Sequence, residues 1–233
     1  LILSTATLNA QFILNGSALK IDEDCFELTQ DALNQSGSAW FEDKINLNQS
    51  FDVRMSLNFG CKDDNGADGM VFILQPISTS IGSTGSGIGY AGISPSIGIE
   101  FDTWQNSGNN DPSSDHIGIL KNGIPNHNNS LAGPIQASIN SLNIEDCNDH
   151  SVRISWDVNT QMLSVYFDCQ LRLSVEIDLI NDIFNGDPSV FWGFSSATGG
   201  FANKHLLCFE LIEFNQQLEN FTLCPNGAYP IEG

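Results

Sequence analysis

What most constrains this chain of 233 residues is how little of it has helical periodicity. One stretch, Asp178 to Phe184, has an Asp start and a Gly186-Asp-Pro stop, which predicts a helix of two turns at most. Nearly everything else is short apolar or alternating runs set between clusters of Gly, Asn, Asp and Ser. SAWFEDKINL, SFDVRMSLNFG, GMVFILQP, SIGIEFDTW, HIGILKNG, SVRISWDV, MLSVYFDC, LRLSVEI, VFWGFSSA and LLCFELIEF all read as strands. The clearest pair is SVRISWDVNTQMLSVYFDC, two alternating runs around Asn159-Thr160-Gln161, which predicts a hairpin. Strands without intervening helices predict an all-β chain of two stacked antiparallel sheets. No repeat or composition break divides residues 11–224, and a sandwich of this length commonly forms one domain. Residues 1–10 read either as the remnant of a signal peptide or as a first strand, and both readings stand. Residues 225–233 have linker-like composition, so further domains of a longer chain are expected.

Charge and cysteine usage narrow the partners. Asp and Glu number 28 against 8 Lys and Arg, a formal charge of -20, which excludes nucleic acid and anionic membrane as partners. No stretch approaches the roughly 20 apolar residues of a membrane helix, so no membrane insertion is expected. Six cysteines without a Cys-x-x-Cys pair argue against zinc ribbons and for disulfides, hence for a secreted or cell-surface location. The hairpin ends bring Cys147 and Cys169 together, which predicts that pair as bonded; partners for Cys25, Cys61, Cys208 and Cys224 do not follow from sequence.

The densest chemistry lies between Glu100 and Gly118. The run IGIEFDTW alternates, so Glu100, Asp102 and Trp104 project to one face of a strand. Turn formers follow, and Pro112 bends the chain so that Asp111 and His116 come back over the carboxylates. Neighbouring carboxylates repel, and a bound cation relieves that repulsion. His127, His150 and His205 stand at no metal-ligand spacing from one another and read as surface or capping residues.

The order Glu-x-Asp-Thr-aromatic-x-Asn, then Asp-Pro, then His-Ile-Gly-Ile, resembles the metal loop of the L-type (legume-type) lectins of the concanavalin A-like family. Secreted bacterial members are the branch it looks most like. The resemblance implies a jelly-roll sandwich and two metal ions. Ca2+ would take Asp102, the Trp104 carbonyl, Asn106 and Asp111, an all-oxygen set that suits it. A transition metal, Mn2+, would take Glu100, Asp102, Asp111 and His116.

Three more loops carry the resemblance. In Gly66-Ala67-Asp68-Gly69, Asp68 would accept hydrogen bonds from sugar hydroxyls and follow a cis peptide bond. In the loop from Gly82 to Gly92, a backbone N–H would donate to the sugar, from Gly87, with Gly85 and Ser86 as alternatives. Gly199 and Gly200, in SSATGGFANKH, fall in the loop that sets sugar specificity. Asn106 would also donate its amide hydrogen to the sugar, and the Trp104 ring would stack on a pyranose. The implied function is calcium-dependent glycan binding without bond chemistry. A laminarinase-like hydrolase is the rival reading, but its Glu-x-Asp-x-x-Glu pattern lacks the second Glu, since Gln105 stands there. A third reading is a structural adhesion module that keeps the metal and has lost the sugar.

Overall fold

The alternating runs become strands at the expected places in a computed structural model, which describes residues 11–80, 85 and 87–214. Numbered in chain order, one sheet runs β1 (Phe12–Gly16), β4 (Ser36–Phe41), β14 (Ser189–Ala197), β7 (Gly69–Gln75), β8 (Ile97–Asp102), β9 (His116–Lys121) and β10 (Ala132–Gln136). The short β5 (Ile45–Asn46) pairs with β14. The second sheet runs β13 (Gln170–Glu176), β12 (Met162–Phe167), β11 (His150–Asp157), β6 (Phe51–Asn58), β15 (His205–Phe214), β3 (Cys25–Thr29) and β2 (Leu19–Lys20). Every ladder is antiparallel. The chain is thus an all-β jelly-roll sandwich.

Side-chain alternation builds the core. On β6, Phe51, Val53, Met55 and Leu57 face inward, while Asp52, Arg54 and Ser56 take the other face. The inward set meets Met70, Phe72 and Leu74 of β7, with Phe101, Trp192 and Phe194 in the same cluster. Burying each such side chain contributes about 1.5–3 kcal/mol. All of β7 is buried, and its run GMVFILQ is accordingly near-continuously apolar. The reason is a second cluster on its far face, where Val71 and Ile73 join Trp40 and Leu120 beneath Ile88, Tyr90 and Ile93. That cluster seats residues 88–93 on the sheet, and the Ser195 hydroxyl donates to the Ile88 carbonyl at 2.6 Å.

One expectation is corrected. The predicted hairpin forms, with Val152 paired to Phe167, but Cys147 and Cys169 are not bonded to each other. Cys147 lies beyond the end of β11, whose other neighbour is β6. The Cys147 amide donates to Gly60 at 2.9 Å, and its sulfur is bonded to Cys61. Cys25 is bonded to Cys208, and Cys169 is also in a disulfide. The short helix expected after Asp178 forms as a single wide turn, Leu179–Ile183, started by Asp178 accepting from the Asn181 amide at 3.0 Å. Residues 1–10, Ser86, Cys224 and residues 225–233 lie outside the described residues.

Candidate functional site

Strand register assembles the acidic cluster. On β8, Glu100 and Asp102 point the same way, and in the adjacent β9 Asp102 lies opposite His116 and Glu100 opposite Gly118. The following loop returns Asp111, whose Oδ2 accepts from the Asn106 amide at 2.6 Å while its carbonyl accepts from the Gln105 side chain at 3.2 Å. Asp102 Oδ1 accepts from the Trp104 amide at 2.7 Å. Glu100, Asp102, Asp111 and His116 are all buried, and Asp102, Asp111 and His116 present ligand atoms within 4.8 Å of one another.

A residue that sequence reasoning set aside completes the cluster. His127, read as a surface or capping residue, is buried in it, carried there by a short turn of helix, His127–Asn129, after β9. Its Nε2 lies 3.0 Å from Glu100 Oε1, 3.4 Å from Asp111 Oδ1 and 3.0 Å from His116 Nε2. The other two histidines are internal as well. His150 bonds Asp168 and the Ile144 carbonyl, and His205, fully buried, bonds Thr29 and Ser196.

The electrostatics suit a cation. Burial, reinforced by the neighbouring carboxylates, raises Glu100 and Asp102 above the usual carboxylate range. Burial lowers His116 to about 4. Burial also opposes charge on His127, but Asp111 and Glu100 outweigh it and push the imidazolium up to about 9. Asn106 Oδ1 is buried with no hydrogen-bond partner, so an oxygen ligand stands unspent beside the cluster. This donor set fits the oxygen-rich Ca2+ site and the adjoining transition-metal site.

Beside the metal residues lies Asp68. The Ala67–Asp68 peptide is cis, as the resemblance implies. The Asp68 amide donates to Ala197 and its carbonyl accepts from Thr103, so the residue is clamped between β14 and the end of β8. Its Oδ2 is buried without a partner, and burial raises its carboxyl to about 6. Gly199 is next to it, since a Cβ there would sit 3.4 Å from Asp68 Oδ2 and 3.8 Å from the Gly85 Cα. Gly87 lies instead inside a buried turn, its carbonyl accepting from Tyr90 and Ala91. Gly200 is exposed. The Trp104 ring packs against Phe201, centroids 4.4 Å apart, and Phe201 is itself exposed.

Beneath these loops is a support that the sequence did not reveal. Asn203, buried, accepts from the Cys61 amide, and its side-chain nitrogen donates to the Lys62 carbonyl at 2.9 Å and to Glu145 Oε1 at 2.7 Å. Its own amide donates to Ala67. One side chain thus ties the 60–68 loop to the 196–204 loop.

The model of the legume lectin β-barrel domain matches residues 3–211, and the chain belongs to the L-type (legume) lectin family. It is 33% identical over 114 residues to a galactose-binding lectin of Arachis hypogaea, covering 45% of this chain and 37% of that protein. It is 31% identical over 146 residues to a basic agglutinin of Psophocarpus tetragonolobus, covering 59% of this chain and 54% of that protein. The match therefore spans about a third to a half of these relatives' length. The fold is similar to that of a Bauhinia forficata lectin in complex with GalNAc, with a TM-score of 0.72 at 20% identity over 91% of this chain and 93% of that one.

Proposed function

We propose that this chain is a calcium-dependent glycan-binding domain acting outside the cell. The observation that carries this reading is the pair of buried, partner-less oxygens, Asp68 Oδ2 and Asn106 Oδ1, beside the acidic cluster. Asn106 Oδ1, the Trp104 carbonyl, Asp102 and Asp111 would hold Ca2+, and Glu100, Asp102, Asp111 and His116 a second divalent ion, which the family resemblance gives as Mn2+. The ions would neutralise the carboxylates and fix the loop that presents Asn106. Asp68 would then accept from two sugar hydroxyls, and the Asn106 side chain and a glycine-loop amide would donate. Gly85, which lies beside Gly199, is better placed for that amide than Gly87. Trp104 would cover an apolar sugar face, with Gly199 and Gly200 shaping the rim. The disulfides and the absence, among the described residues, of a helix long and apolar enough to cross a membrane support a secreted or cell-surface setting. The test is a glycan array with Ca2+ and Mn2+ or with EDTA, galactose- and GalNAc-terminated glycans included. Asp68→Asn and Asn106→Ala should abolish binding. Normal binding by either variant, or in EDTA, would overturn the assignment.

A further inference from the structure

We infer that the transition-metal site is a two-histidine site, in which His127 is a direct ligand, and that it selects an imidazole-favouring ion of the Zn2+ class over Mn2+. The inference rests on the metal-binding reading above and changes both its ligand set and its ion.

The geometry is that of a coordination shell. Ligands at about 2.0–2.2 Å from a metal lie about 3.0 Å apart in an octahedral array and about 3.4 Å apart in a tetrahedral one. His127 Nε2 stands 3.0, 3.0 and 3.4 Å from Glu100 Oε1, His116 Nε2 and Asp111 Oδ1. His116 Nε2 stands 3.9 Å from both Glu100 Oε1 and Asp111 Oδ1. Glu100, His116 and His127 form a buried triad of ligand atoms, and it shares His116 with the Asp102–Asp111–His116 triad. Two Nε2 atoms facing each other at 3.0 Å, with Glu100 Oε1 at 3.0 Å and Asp111 Oδ1 at 3.4 Å from one of them, converge as the ligands of one metal ion do.

The local sequence makes room for this. A Cβ on Gly118 would come within 2.6 Å of Glu100 Oε1 and 2.8 Å of His127 Cε1, so the glycine lets the imidazole lie over β9. His116 also hydrogen-bonds the Ser114 backbone, an outer partner of the kind that orients a metal-bound ring. The selectivity follows from the donor count. Carboxylates and water suit Mn2+, whereas each imidazole added favours Zn2+, Co2+ and Ni2+. A second nitrogen in place of an oxygen ligand therefore moves the site along that series.

The test uses the whole chain, stripped of metal, refilled with Ca2+ and loaded with one equivalent of Co2+. Proton NMR then counts the strongly shifted, exchangeable imidazole N–H resonances, of which the His127 Nδ1 proton, being buried, should exchange slowly. Two such resonances are expected, and one in His127→Gln. Chelator competition should show His127→Gln losing at least ~10–100-fold in Zn2+ affinity, with a smaller loss for Mn2+ and none for Ca2+. A single resonance in the unaltered chain would overturn the His127 assignment while leaving a one-histidine metal site intact. Failure to take up Co2+ at all would overturn the metal site as well. The count on the unaltered chain decides the matter even if His127→Gln does not fold.

Discussion

Glu145 gives the sharpest stability test. It is 2% exposed, its Oε1 accepts from Asn203, its carboxyl also lies against the Thr103 hydroxyl, and burial pushes it up to about 9. In the unfolded chain it returns to the usual value of about 4.5. Between those values the folded protein holds a proton that the unfolded chain has released. Stability must therefore fall as pH rises across that window, by ~1.4 kcal/mol per unit from this group alone. From pH 4.5 to pH 7 that comes to about 3 kcal/mol. Glu145→Gln keeps the oxygen that accepts from Asn203 and supplies a fixed donor where the acid carries its proton. The variant should match the parent near pH 4.5 and exceed its stability by about 3 kcal/mol at pH 7, with a correspondingly shallower pH dependence. Urea unfolding at half-unit steps from pH 4.5 to 8, in constant EDTA, measures the difference and cancels the titration of the metal cluster common to both proteins. Parallel pH profiles would refute the reasoning, because they would mean Glu145 titrates alike in both states.

Three other outcomes are expected. Gly118→Ala should weaken transition-metal binding about tenfold or more, read by chelator competition, because its Cβ would displace Glu100 and His127. Phe201→Ala should leave metal affinity alone and lower glycan affinity by the ~0.5–1.5 kcal/mol that an aromatic pair contributes, since the Trp104 ring loses its neighbour. Replacing both Cys61 and Cys147 by Ser should cost about 4–5 kcal/mol in denaturant unfolding on the chain-entropy account, given their sequence separation of 86.

Much of this was legible in the sequence, for a simple reason. Period-two alternation fixes which face a side chain takes, so Glu100 and Asp102 could be placed together, and a returning turn brings His116 opposite them. The misreadings have one cause, contacts made through a neighbour that the local pattern does not name. His127 reaches the cluster from a separate turn after β9, and no spacing rule links it to Glu100. Cys147 answers to β6 rather than to its hairpin partner. Glu145 sits in IEDCNDH, where no local pattern marks it for burial, and only the fold shows that Asn203 and the 60–66 loop close over it.

The double burial of β7 divides the packing of this domain into two parts. Ile88, Tyr90 and Ile93 rest on their own small cluster, separated from the main core by the thickness of one sheet. Contacts that hold residues 88–93 are thus different from those that hold the sandwich, and the two can melt or mutate independently. New loop sequences can be tried on this frame at the cost of a seven-residue cluster, while the interior that keeps the domain folded goes on undisturbed.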